Sequence, residues 1–579
     1  MPRPTSQRAA QRWPAALMAA LVLVYGAPLF LFPLFEDVAL FAAIGKLIAQ
    51  GLAPYRDVVD QKPPAIYVVM LLARLMPLPP GVAVRALELT AIVAMALACA
   101  RLCDQLGPGR RLIGFAAVVL MSSNLFWGLP ERGQVEWFQA SVTAWGVLLV
   151  ARSMRPHARV HVSVLAGALL GLGCWFKPQG AFTAVAVGLV AAARLGLRRE
   201  PRRALVYSLQ LTAGALAVSI PFLIWLLAEG ALSDFADTMF GHNLRYVASR
   251  PSPNLASVIG TSARLARTWL DGVPVAFLGV LLGLGLAAWL APAHADVRRG
   301  DRAPDDRSDP DGRRDPDGRR DARAPDDRCL RRWTGVLVLA WTAAAFTQYW
   351  SGRFLFTYHL VIVVPAVAVV LAAGVGAATL GLDRRLRGRT RPLLRVLLLV
   401  TVSAYMVYAL ADNWRQRLFW RDTIAWLRGT LSRDQIDARY GTEMHYFDFR
   451  GQRALADWVA ARTGPDERVH VFGRAGVFYL YVDRLPGARY LVTSGALARR
   501  FDPDGVRARQ LLRDLEATRP RYLLVRNDDA LPWFQVSASS RQLEDWPQLM
   551  SFLQANYESE PYPDPGVTPL RRRDDAGRD

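Results

Sequence analysis

Lysine is nearly missing from this chain: 67 of its 70 basic residues are arginine, and only Lys46, Lys62 and Lys177 are lysine. Arginine evidently serves wherever a generic positive charge will do, so each lysine asks for a local reason. Cysteine is scarce too. Cys99, Cys103 and Cys174 fall in apolar runs and Cys329 in a polar segment, which excludes a disulfide framework or a cysteine-based metal site beyond residue 329. The seven histidines are scattered, with only His157 and His161 close in sequence. The polar C-terminal part has no glycine-rich phosphate loop, and the apolar part does not fall into repeated halves. Acidic residues are outnumbered, leaving a net charge of +21, but the arginines sit between apolar runs and not in one patch. That distribution excludes nucleic acid as the partner.

What is abundant is apolar length. The chain is 52% hydrophobic, with runs near 14–34, 83–103, 112–128, 137–151, 161–176, 181–195, 204–228, 273–291, 333–350, 357–380 and 392–411. Each is close to what a bilayer core requires, which predicts a polytopic α-helical membrane protein of about 11 transmembrane helices. A shorter amphipathic piece, Ile66 to Met76, reads as lying along the membrane surface. The N-terminal run is too long for a cleaved signal peptide and has no small-x-small site after it. With Arg3, Arg8 and Arg12 in the cytoplasm and the spans alternating, the arginine-rich loops fall inside. Everything after Ala411 is then extracytoplasmic, and the protein is a multi-pass protein of the cytoplasmic (inner) membrane.

Two soluble regions interrupt or follow the spans. Residues 296–332, with SDPDGRR and DPDGRR in tandem, have almost nothing apolar to bury and read as disordered. Residues 412–579 alternate helices and short apolar strands. Helices are predicted at Gln452–Ala461, Val506–Ala517 and Leu543–Tyr557, and strands at Arg468–Phe472, Arg489–Thr493 and Tyr522–Val525. This pattern predicts a small α/β domain with a mainly parallel sheet, following a 1–411 membrane domain. Asp502-Pro-Asp504 has acid-x-acid spacing, but its turn-rich surroundings make it a loop, as for Asp309/Asp311 and Asp315/Asp317.

The most informative stretch is FEDVALFAAIGKLIAQGLAPYRDVVDQKPP, Phe35 to Pro64. Glu36 and Asp37 stand where the first span ends, and Tyr55, Asp57, Asp60 and Lys62 follow. Ionisable groups at a membrane boundary are functional candidates by default. Lys62 and Lys177 each precede proline, which fixes the local backbone, and a compact ammonium suits a phosphate. Both are candidate phosphate ligands, against the reading that Lys62 pairs with Asp57 or Asp60 and that Lys177 snorkels at a helix end. Lys46 reads as a solvated-face residue. Other outer turns add Glu131, Arg132 and Glu136 (PERGQVEW), Arg353, Tyr358 and His359 (SGRFLFTYH), and the large loop 229–272.

Glu36-Asp37, the Pro54–Pro64 stretch, GLGCWFKPQG, YHLVIVVP and the RPRYLLV series of the tail resemble the GT-C superfamily of integral-membrane glycosyltransferases. The likeness is to the family-39 and family-83-like branch, which includes protein mannosyltransferase-like, aminoarabinose transferase-like and rhizobial galacturonosyltransferase-like enzymes. It covers most of the chain outside 296–332. Relatives usually show Asp-Glu after the first span and this chain shows Glu-Asp, so either residue can hold the catalytic position. The resemblance implies transfer of a sugar from a polyprenyl-phosphate donor to an envelope lipid, glycan or protein, with inversion. Asp37 or Glu36 would be the general base. Lys62, with Lys177 or Arg353, would meet the departing phosphate, while Tyr55, Asp57, Asp60, Glu131, Glu136 and His359 line the site. No cofactor is required by this scheme, and no residue cluster indicates a divalent metal. A transporter or flippase would need charged or broken helices near mid-membrane, often in repeated halves. A non-catalytic scaffold would need no Glu36-Asp37 and Lys62 constellation.

Overall fold

A computed structural model of the chain describes residues 4–107, 110–122, 128–155, 158–197, 199–248, 256, 260, 324–352, 356–385, 414–442, 447–499, 501–531 and 536–573. The first helix, α1 (Pro4–Gly26), runs through a 3-10 turn (Ala27–Leu31) and then breaks. Its membrane part and α2 (Glu36–Ala49) meet at 84°. Pro33 disfavours helix at Phe32, which is extended at ψ 121°. The elbow is gripped from α4 (Pro80–Leu106): Arg85 Nε donates to the Phe32 carbonyl at 3.1 Å and Nη2 to that of Pro33 at 2.5 Å. Glu88, one turn on, accepts from Arg85 at 2.9 Å and faces Arg132 at 3.5 Å, with all three side chains buried. Two guanidinia around one carboxylate, out of reach of water, make a rigid post behind the Glu36-Asp37 turn.

Between α2 and α4 lies α3 (Ala65–Leu75), the element read as surface-lying. It packs so closely on α2 that a Cβ at Gly45 would stand 2.8 Å from Met70 Cβ. The membrane part continues through α5 (Arg111–Met121), α6 (Val135–Ser153), α7 (Val160–Phe176), α8 (Gly180–Leu197) and α9 (Pro201–Ala228). After the undescribed stretch come α10 (Ala324–Ser351), a 3-10 turn (Thr357–Val363) and α11 (Val364–Arg385). Glycines bring α7 and α9 into backbone contact: a Cβ at Gly167 would meet the Leu211 carbonyl at 1.9 Å, and one at Gly214 that of Val164 at 1.9 Å. The far side of α9 shows Leu205, Leu209, Leu216, Ile220, Leu223 and Leu227, all exposed among the described residues and fit for lipid.

Among the described residues four helices are long and apolar enough to cross a membrane, or five if the bent α1–α2 pair is one span. The protein is therefore a multi-pass membrane protein, although length and apolarity count fewer spans than the eleven read from the sequence. Two expected spans, 273–291 and 392–411, lie outside the described residues, as does most of 296–332. The end of that segment, read as disordered, is helical, because α10 begins at Ala324. Of the expected spans 112–128 and 161–176, the described helices are 11 and 17 residues long.

The C-terminal domain holds α12 (Phe449–Ala460), β1 (Val469–Phe472), α13 (Gly476–Tyr481), α14 (Val506–Thr518), β2 (Tyr522–Arg526), two short helices (Ser539–Glu544, Pro547–Asn556), β3 (Tyr557–Ser559) and β4 (Val567–Arg572). The sheet order is β1-β2-β4-β3, and only β1–β2 is parallel, with Val469 opposite Tyr522. The expected mainly parallel sheet is thus corrected: a terminal β3–β4 hairpin turns back and pairs antiparallel with β2. Nor is Arg489–Thr493 a strand of that sheet. Val59 N donates to the Arg489 carbonyl at 2.8 Å, so this segment meets the loop after α2. The expected Leu543–Tyr557 helix divides at Trp546-Pro547. Asp502, read as a loop residue, caps α14 by accepting from the amides of Val506, Arg507 and Ala508.

The hydrophobic core runs without a break from α2 into the C-terminal domain, joining Val38, Phe41 and Leu47 with Leu455, Val477, Phe478 and Leu524. This explains Lys46, which is buried and donates to the Leu480 carbonyl at 3.2 Å, and is no solvated-face residue. Its polar face is covered by α13, an element 434 residues away.

Candidate active site

The acidic pair opens α2, and its two members face different ways. Glu36 is buried, and both of its oxygens are engaged by the C-terminal domain: Oε1 accepts from the Gly476 amide at 2.6 Å and Oε2 from Gln452 Nε2 at 2.8 Å. Asp37 is a quarter exposed, and Oδ1 accepts from Arg474 Nη2 at 3.3 Å. Among the described residues Asp37 Oδ2 makes no hydrogen bond.

The loop after α2 sorts its residues just as sharply. Tyr55 is fully buried at a positive φ of 69°, and its hydroxyl donates to the Lys62 carbonyl at 2.7 Å. Tyr67 donates to the same carbonyl at 3.2 Å and to Asp60 Oδ2 at 2.9 Å. These bonds set the backbone of Lys62 and leave its side chain to project. Its ammonium lies 5.9 Å above the Phe41 ring and forms no ion pair among the described residues. Burial raises the Asp60 carboxyl above the usual range, against the pull of Lys62 and the Tyr67 hydrogen bond. Asp57 is turned away: it accepts two bonds from Arg56, which hold it below the usual range, and one from the Ala53 amide. Its role is to close the loop.

The third wall comes from α6, α7 and the turn before α11. Lys177, at the end of α7, is ion-paired to Glu136 Oε1 in the first turn of α6. His359 Nε2 lies 3.6 Å from the same oxygen. Below them Gln139 donates to the Gly173 carbonyl at 3.1 Å and accepts from Gln348 at 2.8 Å, tying α6, α7 and α10 together. Glu131 faces its own turn, where Oε2 accepts from the Gly128 amide at 3.0 Å, and takes no part in this wall. Arg353 lies outside the described residues.

These groups share one electrostatic neighbourhood. Lys177 feels the charges of Glu136, Lys62 and Asp37; Asp60 those of Lys62 and Asp37; Tyr358 those of Asp37, Glu136 and Arg474. The structure thus brings together Asp37, Asp60, Lys62, Glu136, Lys177 and His359. Glu36, Tyr55, Asp57 and Glu131 support the surrounding backbone. Sequence reasoning missed Arg474, Gln452, Arg85 and Glu88, and named Arg132 as an outer-turn candidate without its partner Glu88. Arg85 and Glu88 had a signal, being charges within an apolar run. Arg474 had only its flanking glycines.

The arrangement places an ammonium, Lys62, and a carboxylate, Asp37, in one neighbourhood, the chemistry of an anion site beside a base. No group of three or more metal-ligating side chains occurs among the described residues. Over residues 62–305, less than half of its length, the chain matches the model of glycosyltransferase family 87. Among solved structures it is similar to ArnT from Cupriavidus metallidurans bound to undecaprenyl phosphate, at a TM-score of 0.56 and 14% identity, covering 98% of this chain and 100% of that one. The apo state of the same protein gives 0.56 and 14%, covering 97% and 98%. AglB from Archaeoglobus fulgidus, in complex with an inhibitory peptide and a dolichol-phosphate, gives 0.45 and 12%, covering 97% and 74%. No curated protein matches the chain in sequence.

Proposed function

We propose that this chain is a membrane glycosyltransferase of the GT-C superfamily and that it transfers a sugar from a polyprenyl-phosphate donor to a cell-envelope lipid, glycan or protein; the match to glycosyltransferase family 87 over residues 62–305 and the fold shared with ArnT support this reading. The reaction takes place on the outer face of the cytoplasmic membrane, with the N-terminus inside and the C-terminal domain outside. One observation carries this reading: Lys62, whose ammonium forms no ion pair among the described residues, and Asp37, one of whose oxygens accepts no hydrogen bond among them, act on the same neighbours, Asp60 and Lys177, at the end of a bent first span. Undecaprenyl phosphate bound to ArnT, whose fold this chain shares, supports a donor of that class.

In the step itself the acceptor hydroxyl attacks the anomeric carbon from the side opposite the phosphate. Its proton passes to Asp37, a new carbon–oxygen bond forms, and the bond to the phosphate oxygen breaks with its electrons. The products are the inverted glycoside and polyprenyl phosphate. Lys62 faces the charge that develops on the leaving oxygen, and Lys177, held by Glu136, lies at its flank. Glu36 has no open oxygen to act as the base. The step as written requires no metal or cofactor.

The test uses the full-length protein in lipid nanodiscs, a panel of polyprenyl-phosphate sugars and an envelope extract from the native host. The reading expects one donor to be consumed with stoichiometric polyprenyl phosphate released. If no donor is consumed, or if in sealed proteoliposomes a labelled donor crosses the bilayer unchanged, the transferase reading is wrong and a flippase takes its place.

A further inference from the structure

Arg474 stands between β1 and α13 in the run Phe472-Gly473-Arg474-Ala475-Gly476, and both ends of that run are pinned. On one side the Gly473 amide donates to Thr493 Oγ1 at 2.7 Å, and a Cβ there would strike Arg526 Cγ at 2.4 Å. On the other the Gly476 amide donates to Glu36, and a Cβ there would lie 2.4 Å from the Glu36 carbonyl oxygen and 2.6 Å from the Leu40 nitrogen. The loop therefore rests directly on the first turn of α2, with no room for a side chain between them. Arg474, held between these points, reaches Asp37 at 3.3 Å.

Both partners are about a quarter exposed, at 24% and 25%, and Glu36 and the apolar core already dock the domain on α2. Arg474 engages one oxygen of Asp37 and, among the described residues, leaves the other open. We infer that Arg474, brought in by the C-terminal domain, is a positioning residue for transfer: it orients the Asp37 carboxylate toward the acceptor hydroxyl. The inference rests on the transferase reading above. It makes the C-terminal domain a part of the active site. The other charged and titratable groups around Asp37 are Asp60 and Lys62 from the loop after α2, Lys177 from α7, and Tyr358.

The experiment compares wild type, Arg474→Ala and Arg474→Lys, all full length in nanodiscs, using the polyprenyl-phosphate sugar that wild type consumes. Both kcat and KM for the donor are measured, with Tm recorded for each variant. Without the guanidinium the Asp37 carboxylate loses its orientation, so Arg474→Ala should lower kcat about tenfold or more while KM for the donor stays within about twofold. Arg474→Lys should recover part of kcat. If Arg474→Ala does not fold, Arg474→Gln reads the same split of kcat from KM. An active wild type with an unchanged kcat in the folded charge-removing variant overturns the role of Arg474 alone. A wild type that consumes no donor overturns the transferase reading, and this inference with it.

Discussion

Glu36 and Gln452 are joined by a 2.8 Å hydrogen bond across 416 residues of chain. Gln452 Oε1 in turn accepts from the Phe478 amide at 3.4 Å, and the second Glu36 oxygen takes the Gly476 amide. The first acidic residue after the span is thus the socket into which the C-terminal domain plugs. Glu36→Ala should undock that domain, losing about 1.5–3 kcal/mol for each hydrogen bond to the carboxylate. A lower Tm and faster proteolysis between β1 and α13 would report it. An unchanged Tm and cleavage pattern would show that the apolar core docks the domain unaided.

Lys62 carries the phosphate in this account. Lys62→Ala should weaken binding of undecaprenyl phosphate by tenfold or more, on the order of 1.4 kcal/mol for each factor of ten, and should lower transfer with it. Lys62→Arg should recover little, because a broad fork cannot replace a compact ammonium above Phe41. Full binding by Lys62→Ala in a tryptophan-quenching or calorimetric titration would move the phosphate site elsewhere.

The Glu136–Lys177 pair is nearly out of solvent, with side-chain exposures of 1% and 16%. Removing one partner leaves a buried charge, at a cost of about 3–5 kcal/mol. Glu136→Gln and Lys177→Met should each lower Tm clearly, and the double variant should recover part of the loss. Additive losses in that double-mutant cycle would mean the two side chains act separately.

His470 supplies a pH dependence in the C-terminal domain. Burial pushes its imidazole down from 6.5 to about 3, so in that window the unfolded chain binds the extra proton and the folded chain does not. Stability should therefore fall as pH drops from about 6.5 toward 3, by at most roughly 1.4 kcal/mol per unit from this group. Thermal melts between about pH 7 and 5 check it: His470→Gln should show a shallower slope than wild type. Equal slopes would remove His470 as the cause.

Much of the site was legible because membrane boundaries make charge conspicuous. Asp37, Asp60 and Lys62 stand out in Phe35–Pro64, and the rarity of lysine singles out Lys177. What local sequence cannot carry is direction. Glu36 and Asp37 are adjacent, and only the helical turn, with α13 packed against one side, separates the docked acid from the one with an open oxygen among the described residues. Asp57 and Glu131 look like site acids but are turned toward their own loops, by Arg56 and by the Gly128 amide. Arg474 is one arginine among 67, and its partner lies 437 residues away. The sheet was misread for a related reason: β4 pairs by tertiary contact with β2, which no local pattern announces.

The most direct measurement is single-turnover sugar transfer by Asp37→Asn beside Glu36→Gln, in nanodiscs, with undecaprenyl-phosphate binding measured on the same preparations. The account predicts that Asp37→Asn binds the lipid phosphate like wild type and transfers about 10²–10⁴-fold more slowly, while Glu36→Gln keeps most of its rate wherever it stays folded. Transfer at the wild-type rate by Asp37→Asn, or loss confined to a folded Glu36→Gln, would contradict it and place the base elsewhere.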